Sequence, residues 1–288
     1  MLCTSTLSPM SKWAEGRVLS KKCWSLLGKN KYFLWFPVLG LVLSLIPIVI
    51  FGIAAIGLLA NDSEVLAIIV AAIGLVFVNY SFTLSGAALV SAADAELAGK
   101  DVSVGYGFGK AFGKLMPLFA WSLIRAAVGA LFAAMRDNGS GAAGIAGNIF
   151  AALGAAAWSI VTFFVTPYIM FHDSNALAAI KESAKLVKEK WGTQVTGGIR
   201  IGVSVLLLII PSVLLIVFGV ILFVGDGAAV VLGAGLFSLG AVLLIIGLLI
   251  GSTLQSIFSV ALYRFATDAG DTSPFTAEEL QGVLHVKA

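Results

Sequence analysis

The stretch ALAAIKESAKLVKEKW, residues 176–191, places four lysines and a tryptophan between two long apolar runs. As a helix it predicts one narrow apolar face at three- and four-residue spacing, made of Leu177, Ile180, Ala184, Val187 and Trp191. Lysines 181, 185 and 188 border that face instead of opposing it. This arrangement is typical of a helix in the lipid headgroup layer, where the ammonium groups reach water. The pattern predicts a membrane-surface helix whose headgroup contacts come from Lys181, Lys185, Lys188 and Trp191.

Nucleic acid is the other class of partner that a lysine-rich stretch can indicate. Such an interface needs basic residues that are free of the membrane and interleaved with exposed aromatic residues. Here the lysines lie beside lipid-facing residues, and the formal net charge of the chain is only +3. The sequence therefore predicts membrane lipids as partners and no nucleic acid.

The composition points the same way, with 59% hydrophobic and 11% charged residues, whereas soluble domains carry about 25% charged residues. A spanning helix needs about 20 apolar residues. Six runs reach that length: 33–59, 65–90, 115–135, 149–171, 199–224 and 230–263. We predict an all-α integral membrane protein with three helical hairpins. Its parts are an N-terminal segment, a six-span domain and a tail, over 1–32, 33–265 and 266–288.

The orientation follows from the distribution of lysine and arginine. Fifteen of the eighteen lie before the first run, in the two long links between hairpins, or after the last run. The short links within hairpins hold one, Arg136. We therefore predict a multi-pass protein of the plasma (inner) membrane with both termini and both long links in the cytoplasm.

Basic amphipathic segments also precede the first and third spans, GRVLSKKCWSLLGKNK at 16–31 and SVGYGFGKAFGK at 103–114. Each hairpin is then preceded by a cytoplasmic interfacial helix, which predicts a degenerate threefold internal repeat. The even-numbered spans end in similar segments, and we expect Asp94, Asp173 and Asp268 to cap the helices that follow them. Ser174 and Asn175 are further candidate caps for the helix at 176–191.

Three further segments carry a resemblance: CWSLLGKNKYFLWFP at 23–37, AWSIVTFFVTPYIMF at 157–171 and ALYRFAT at 261–267. With this layout the chain resembles a family of six-span membrane proteins catalogued as domain of unknown function 6159. The resemblance extends from Met10, an alternative start residue, to near the C-terminus. It implies the six-span architecture, and it offers no catalytic or binding residues to transfer.

Arg125, in WSLIRAAVG, lies about 15 Å along the third span and so near mid-depth. A charge at that depth usually faces the interior of a bundle and has a partner. No acidic residue lies within the six runs, so its candidate partners are neutral polar groups: Asn79, Tyr80, Thr162 and Gln255. We expect a shifted or tilted third span that lets Arg125 reach a lipid phosphate, without a polar cavity. The alternative is a polar centre formed by Arg125, Asn79 and Gln255.

No catalytic pattern emerges from the spacing of the reactive residues. The two histidines, His172 and His285, are far apart in sequence, and no hydrolase, nucleotide-binding or metal-binding motif occurs. We therefore predict no enzymatic activity, no metal and no cofactor. Pro47 and Pro211 interrupt the first and fifth spans, and we expect each to kink its helix.

Three functions fit this pattern. The leading interpretation is a membrane scaffold or accessory subunit that acts through contacts with lipids and other membrane proteins. The second is a small permease or channel with its polar centre around Arg125. The third is lipid handling by the interfacial helices.

Overall fold

The computed structural model describes residues 12–136, 142–191, 196–223, 227–267 and 275. All regular structure in these ranges is helical, and a short 3₁₀ turn, Lys31–Leu34, leads into the second helix. The α-helices are α1 (Lys12–Lys29), α2 (Trp35–Leu59), α3 (Glu64–Leu97), α4 (Val104–Phe112), α5 (Leu115–Arg136), α6 (Ala142–Val161), α7 (Val165–Phe171), α8 (Ala176–Leu186), α9 (Thr196–Leu222) and α10 (Ala228–Ala266).

Six helical segments within the described ranges are long and apolar enough to cross a membrane. They are Lys31–Leu59, Glu64–Leu97, Leu115–Arg136, Gly144–Phe171, Val205–Leu222 and Ala228–Ala266. The length and composition of these helices confirm the prediction of an all-α chain with six candidate spans. The second span ends at Leu97 instead of residue 90, and the fourth contains a break between α6 and α7.

Consecutive long helices pack side by side: α2 with α3, α5 with α6, and α9 with α10. Small residues permit these contacts, since a Cβ on Gly219 of α9 would lie 2.6 Å from the backbone nitrogen of Phe237 on α10. A Cβ on Gly240 of α10 would lie 2.8 Å from the Ser212 carbonyl oxygen. Because lipid tails are as apolar as the side chains, close backbone approach of this kind is a main source of helix association in membranes.

Side-chain burial is concentrated at one end of the bundle. We call residues 83–97 of α3 and 251–266 of α10 the packed end, because most of their side chains are buried. Residues 64–82 of α3 and 228–250 of α10 form the open end, where the buried residues are only glycine and alanine. The largest fully buried side chains are those of Phe33, Phe36, Phe164, Phe258, Leu89, Leu118, Ile169, Leu254, Ile257 and Leu262.

Polar contacts join α3 to its neighbours at the packed end. The Arg264 guanidinium of α10 donates to Asp94 Oδ1 at 2.7 Å, and Asn30 Nδ2 donates to Glu96 Oε1 at 2.7 Å. The prediction that Asp94 caps the following helix is wrong, because α3 continues to Leu97 and Asp94 pairs with Arg264.

The short helices α1, α4 and α8 occupy the three places where interfacial helices were predicted. In α8, Leu177 of the predicted lipid-facing side is 71% exposed, while Ala179 and Ser183 are fully buried. Ala179 and Ser183 therefore belong to the face of α8 that packs on the bundle, and the contact of the predicted apolar face with lipid stays a prediction. The two lysines of α8, Lys181 and Lys185, are exposed, and so is Lys188 in the turn that follows it, Val187–Trp191. The surroundings of the Trp191 side chain lie outside the described part, and the interfacial location stays a prediction.

Candidate functional site

The fourth span is broken at residues 162–164, between α6 and α7. Pro167 in the first turn of α7 accounts for the break, because proline lacks an N–H and its ring clashes with the carbonyl four residues earlier. The helices α2 and α9 continue through Pro47 and Pro211. The discontinuity thus lies in a span where no kink was predicted, although Pro167 was a visible signal for it.

Ser183 of α8 binds the backbone groups that this break leaves unpaired. The Phe164 N–H donates to Ser183 Oγ at 3.1 Å, and Ser183 Oγ donates to the Val161 carbonyl at 2.6 Å. A buried backbone group without a partner costs about 1–3 kcal/mol. These two hydrogen bonds therefore attach α8 to the break, and they explain why the Ser183 face of α8 turns inward and Leu177 turns outward.

A cavity of about 480 Å³ lies where the packed end meets the open end. Its walls come from the start of α2, from α3, from α5, from the broken fourth span and from α10. Eight of the lining residues carry a hydroxyl group, and Arg125 and Gln255 line it as well. None of the described lining residues is an aspartate or a glutamate. The cavity therefore has a mixed wall of apolar and polar groups, with one positive charge among the described lining residues.

Arg125 extends from α5 into this cavity. Its Nη1 lies 3.4 Å from Thr83 Oγ1 of α3, and its guanidinium carbon lies 5.9 Å from the centre of the Trp121 ring. Helical side chains lean toward the N-terminus of their helix, which here is the direction of Trp121 and the packed end. This cavity differs from the expectation that none would lie beside Arg125. Arg125 is itself exposed, and its contact with a lipid phosphate stays a prediction.

The structure brings together two of the three residues predicted for a polar centre, since Arg125 and Gln255 line the same cavity. Asn79 is absent from the described lining, but it lies one turn along α3 from Thr83. The Thr83 hydroxyl is 2.9 Å from the Asn79 carbonyl oxygen and 3.5 Å from its Oδ1. Thr83 and Trp121 were not predicted, because an unbroken apolar run does not indicate which of its residues turn inward.

The hydroxyl groups of the cavity fall into two sets. Five donate their only hydrogen to backbone carbonyls and so present lone pairs to a ligand; these belong to Thr83, Ser85, Thr162, Ser252 and Ser259. The remaining three make no side-chain hydrogen bond to another described residue; they belong to Ser159, Thr166 and Ser256.

Trp121 adds a donor without a partner. Its side chain is 3% exposed, and its Nε1 makes no hydrogen bond within the described residues. The ring packs against Trp158 of α6, with 6.2 Å between the ring centres, and both rings line the cavity. Buried indole N–H groups normally have a hydrogen-bond partner. The Trp121 N–H is an exception to this rule within the described part of the chain.

A second polar cluster lies beside the packed end, outside the cavity lining. His172 Nε2 lies 2.8 Å from the Tyr263 hydroxyl, and Lys114 of the α4–α5 turn pairs with Asp173. The hydrogen bond and charge of Lys114 lower the pKa of Asp173. Asp173 does not cap α8 as predicted, since Asn175 Oδ1 accepts from the Ala178 N–H at 2.8 Å. Asp268 lies outside the described residues. Among the described residues no group of three His, Cys, Asp or Glu side chains is placed to hold a metal.

The six long apolar helices define a class, that of multi-pass helical membrane proteins. The chain belongs to the family of unknown function DUF6159, whose model matches residues 65–273. That range includes every lining residue of the cavity except Pro37. No curated protein and no solved structure matches the chain.

Proposed function

We propose that the chain is a small, non-enzymatic permease or carrier. Its ligand carries a negatively charged group, which binds Arg125 within the bilayer. The observation that carries this proposal is the cavity of about 480 Å³, which contains Arg125, Gln255 and hydroxyl groups from several helices. Ligand pockets typically enclose about 300–1,000 Å³. Among the three interpretations of the sequence, only the permease requires such a polar centre.

The energetic cost of a charge at this depth supports the proposal. An arginine near the centre of a span costs about 2.5–3.5 kcal/mol or more, and such residues usually mark a substrate or ion pathway. The described partner of Arg125 is the neutral Thr83 hydroxyl, at the long distance of 3.4 Å. A broken helix beside a polar site is also a feature of many transporters, and here Thr162 and Thr166 flank the break and line the cavity.

Transbilayer movement in proteoliposomes tests the proposal with two probes, soluble glycerol 3-phosphate and fluorescent phosphatidylglycerol. We expect the protein to move at least one probe and expect Arg125→Leu to abolish that movement. Arg136→Leu is the matched control, because it removes the same charge from the end of the same helix and should keep at least half the rate. Equal rates in both variants, or no movement of either probe, would support the scaffold interpretation instead.

For the orientation we propose both termini in the cytoplasm and the packed end in the cytoplasmic half of the plasma membrane. The distribution of basic residues supports it, with fifteen of eighteen on the proposed inner side. In intact cells an impermeant thiol reagent should label Asp62→Cys and miss Lys185→Cys. Labelling of Lys185→Cys alone would reverse the orientation.

The interfacial helices and the partners complete the proposal. We propose that α1, α4 and α8 lie along the cytoplasmic headgroup layer, supported by the exposed lysines of α8. Contacts with lipids follow from this location, and contacts with other membrane proteins remain an additional prediction. Spin labels on α8 should show headgroup depth. Full exposure of the Leu177 position to water would contradict the location.

A further inference from the structure

We infer that the ligand of this cavity is an amphiphile with an anionic headgroup that also carries hydroxyl groups, and that its chains lie between the α5–α6 and α9–α10 pairs. This inference rests on the proposed function and names its substrate class. It is carried by four features of the described residues: the charge of the cavity, its free hydrogen-bonding groups, its lateral opening and its size.

The charge of the cavity selects an anion. Arg125 is the only ionised residue in the described lining, and its guanidinium offers several N–H groups beyond the one near Thr83. A phosphodiester carries one negative charge and oxygen atoms that match a guanidinium. The Trp121 N–H, buried and without a partner in the described chain, provides a second donor close to that charge.

The remaining hydrogen-bonding groups of the cavity favour a ligand that carries hydroxyl groups. The hydroxyl groups of residues such as Thr162 and Ser252 already donate to a backbone carbonyl, so they can only accept a further hydrogen bond. A phosphodiester without hydroxyl groups has no hydrogen to donate to them. Ser159, Ser256 and the Gln255 amide line the same cavity and can both donate and accept. A headgroup such as phosphoglycerol satisfies both sets, because its phosphate accepts and its hydroxyls donate.

The cavity has an apolar side exposed to lipid. The α5–α6 pair packs on α3 and α8, but it has no extensive contact with α9 or α10. Phe82, which lines the cavity, is itself exposed, and the exposed Leu248 of α10 lies one turn from Ser252 of the lining, on the same side of that helix. A gap with such walls is suited to hydrocarbon chains rather than to water.

The size of the cavity agrees with a headgroup. At about 480 Å³ it holds a phosphoglycerol group with ordered water, and it is too small for a whole two-chain lipid. The chains of a bound lipid must therefore extend out of the cavity. The buried side chains of the packed end, among them Phe164 and Phe258, close the opposite direction, so the chains leave through the gap between the two helix pairs.

Native mass spectrometry of the delipidated full-length protein tests this inference with four probes. Phosphatidylglycerol has the charge and the hydroxyls, phosphatidylethanol has only the charge, phosphatidylcholine has no net charge, and glycerol 3-phosphate has no chains. We expect phosphatidylglycerol to bind at least about tenfold more tightly than phosphatidylcholine and a few-fold more tightly than phosphatidylethanol. Glycerol 3-phosphate should bind more weakly than either anionic lipid.

Three variants locate the binding. Arg125→Leu should remove the preference for anionic lipid, whereas Arg136→Leu should retain it. Trp121→Phe keeps the charge and the ring but removes the unpartnered N–H, and it should weaken phosphatidylglycerol binding about fivefold. If Arg125→Leu fails to fold, as judged by its elution profile, Trp121→Phe and Gln255→Leu decide the question.

Each contrary outcome has a separate meaning. Binding of glycerol 3-phosphate that depends on Arg125, without binding of phosphatidylglycerol, would overturn the amphiphile and leave the carrier proposal intact. Equal binding of phosphatidylglycerol and phosphatidylethanol would overturn the requirement for hydroxyl groups. Anion binding that is unchanged in both Arg125→Leu and Trp121→Phe would overturn the inference and the proposed function together.

Discussion

The two ends of α3 and α10 differ both in sequence and in what they contact, because the packed end carries most of the polar residues of these two helices. At the packed end nearly every side chain is buried by other helices, whereas at the open end most large apolar side chains are exposed. The open end is held within each helix pair by small residues such as Gly219 and Gly240. The cavity lies at the boundary between the two ends. Hydrophobicity therefore places these helices in the membrane, and side-chain shape and hydrogen bonds decide where they pack on one another.

The largest expected effect is a difference in the free energy of unfolding between two leucine-to-alanine substitutions on α10, one at each end. Leu262 is fully buried at the packed end of α10, and Leu239 at the open end is 51% exposed. Leu262→Ala should lower the free energy of unfolding by about 2–3 kcal/mol, because it leaves a void among packed side chains. Leu239→Ala should change it by less than about 0.5 kcal/mol. Unfolding by SDS titration in mixed micelles measures both values, and equal losses would contradict the division into two ends.

The next effect concerns the attachment of α8 to the fourth span. Ser183→Ala removes the partner of both the Phe164 N–H and the Val161 carbonyl, and it should cost about 1–3 kcal/mol in the same titration. Ser81→Ala is the control, since the Ser81 hydroxyl only donates to the Phe77 carbonyl of its own helix. A Ser183→Ala protein as stable as the Ser81→Ala protein would show that α8 is not attached through this residue.

The smallest effect concerns Cys23 of α1, which is buried against the bundle. Burial raises the pKa of the Cys23 thiol from 9.0 to about 12. The folded state keeps the proton longer than the unfolded chain, so the thiol's contribution to stability is present below pH 9 and is lost as the pH rises toward 12. In a Cys3→Ser protein, maleimide should react with Cys23 at least tenfold more slowly before SDS unfolding than after it. Similar rates at pH 7 would show that the bundle does not cover this thiol.

The sequence allowed the six spans to be predicted because a run of about 20 apolar residues has few alternatives to spanning a bilayer. The positions of α1, α4 and α8 were predictable because their basic and apolar residues recur at helical spacing. The direction of Arg125 was not predictable in the same way, because a helix that is apolar all round has no periodic face that distinguishes its interior side. Pro167 signalled the break in the fourth span, but its consequence depended on Ser183, which is distant in sequence. Long-range hydrogen bonds of this kind leave no trace in local periodicity.

Trp121 and the hydroxyl groups illustrate the same limit within the candidate site. Serine and threonine are common in spanning helices and usually bond to their own backbone, so no single one of them indicates a cavity. Their meaning arises when α3, α5, the broken span and α10 bring them together. The residue types were visible in the sequence, whereas their convergence required the packing of four separate segments.

We propose that water fills the cavity at the boundary between the packed end and the open end. Spin labels on α10 in lipid nanodiscs measure it most directly, at Ile246 of the open end and at Ser256 of the cavity. Collisions with oxygen report hydrocarbon, and collisions with a polar nickel chelate report water. We predict high oxygen and low nickel accessibility at Ile246, and the reverse at Ser256. A Ser256 label with the same oxygen-dominated profile as the Ile246 label would show that hydrocarbon, and not water, surrounds Ser256.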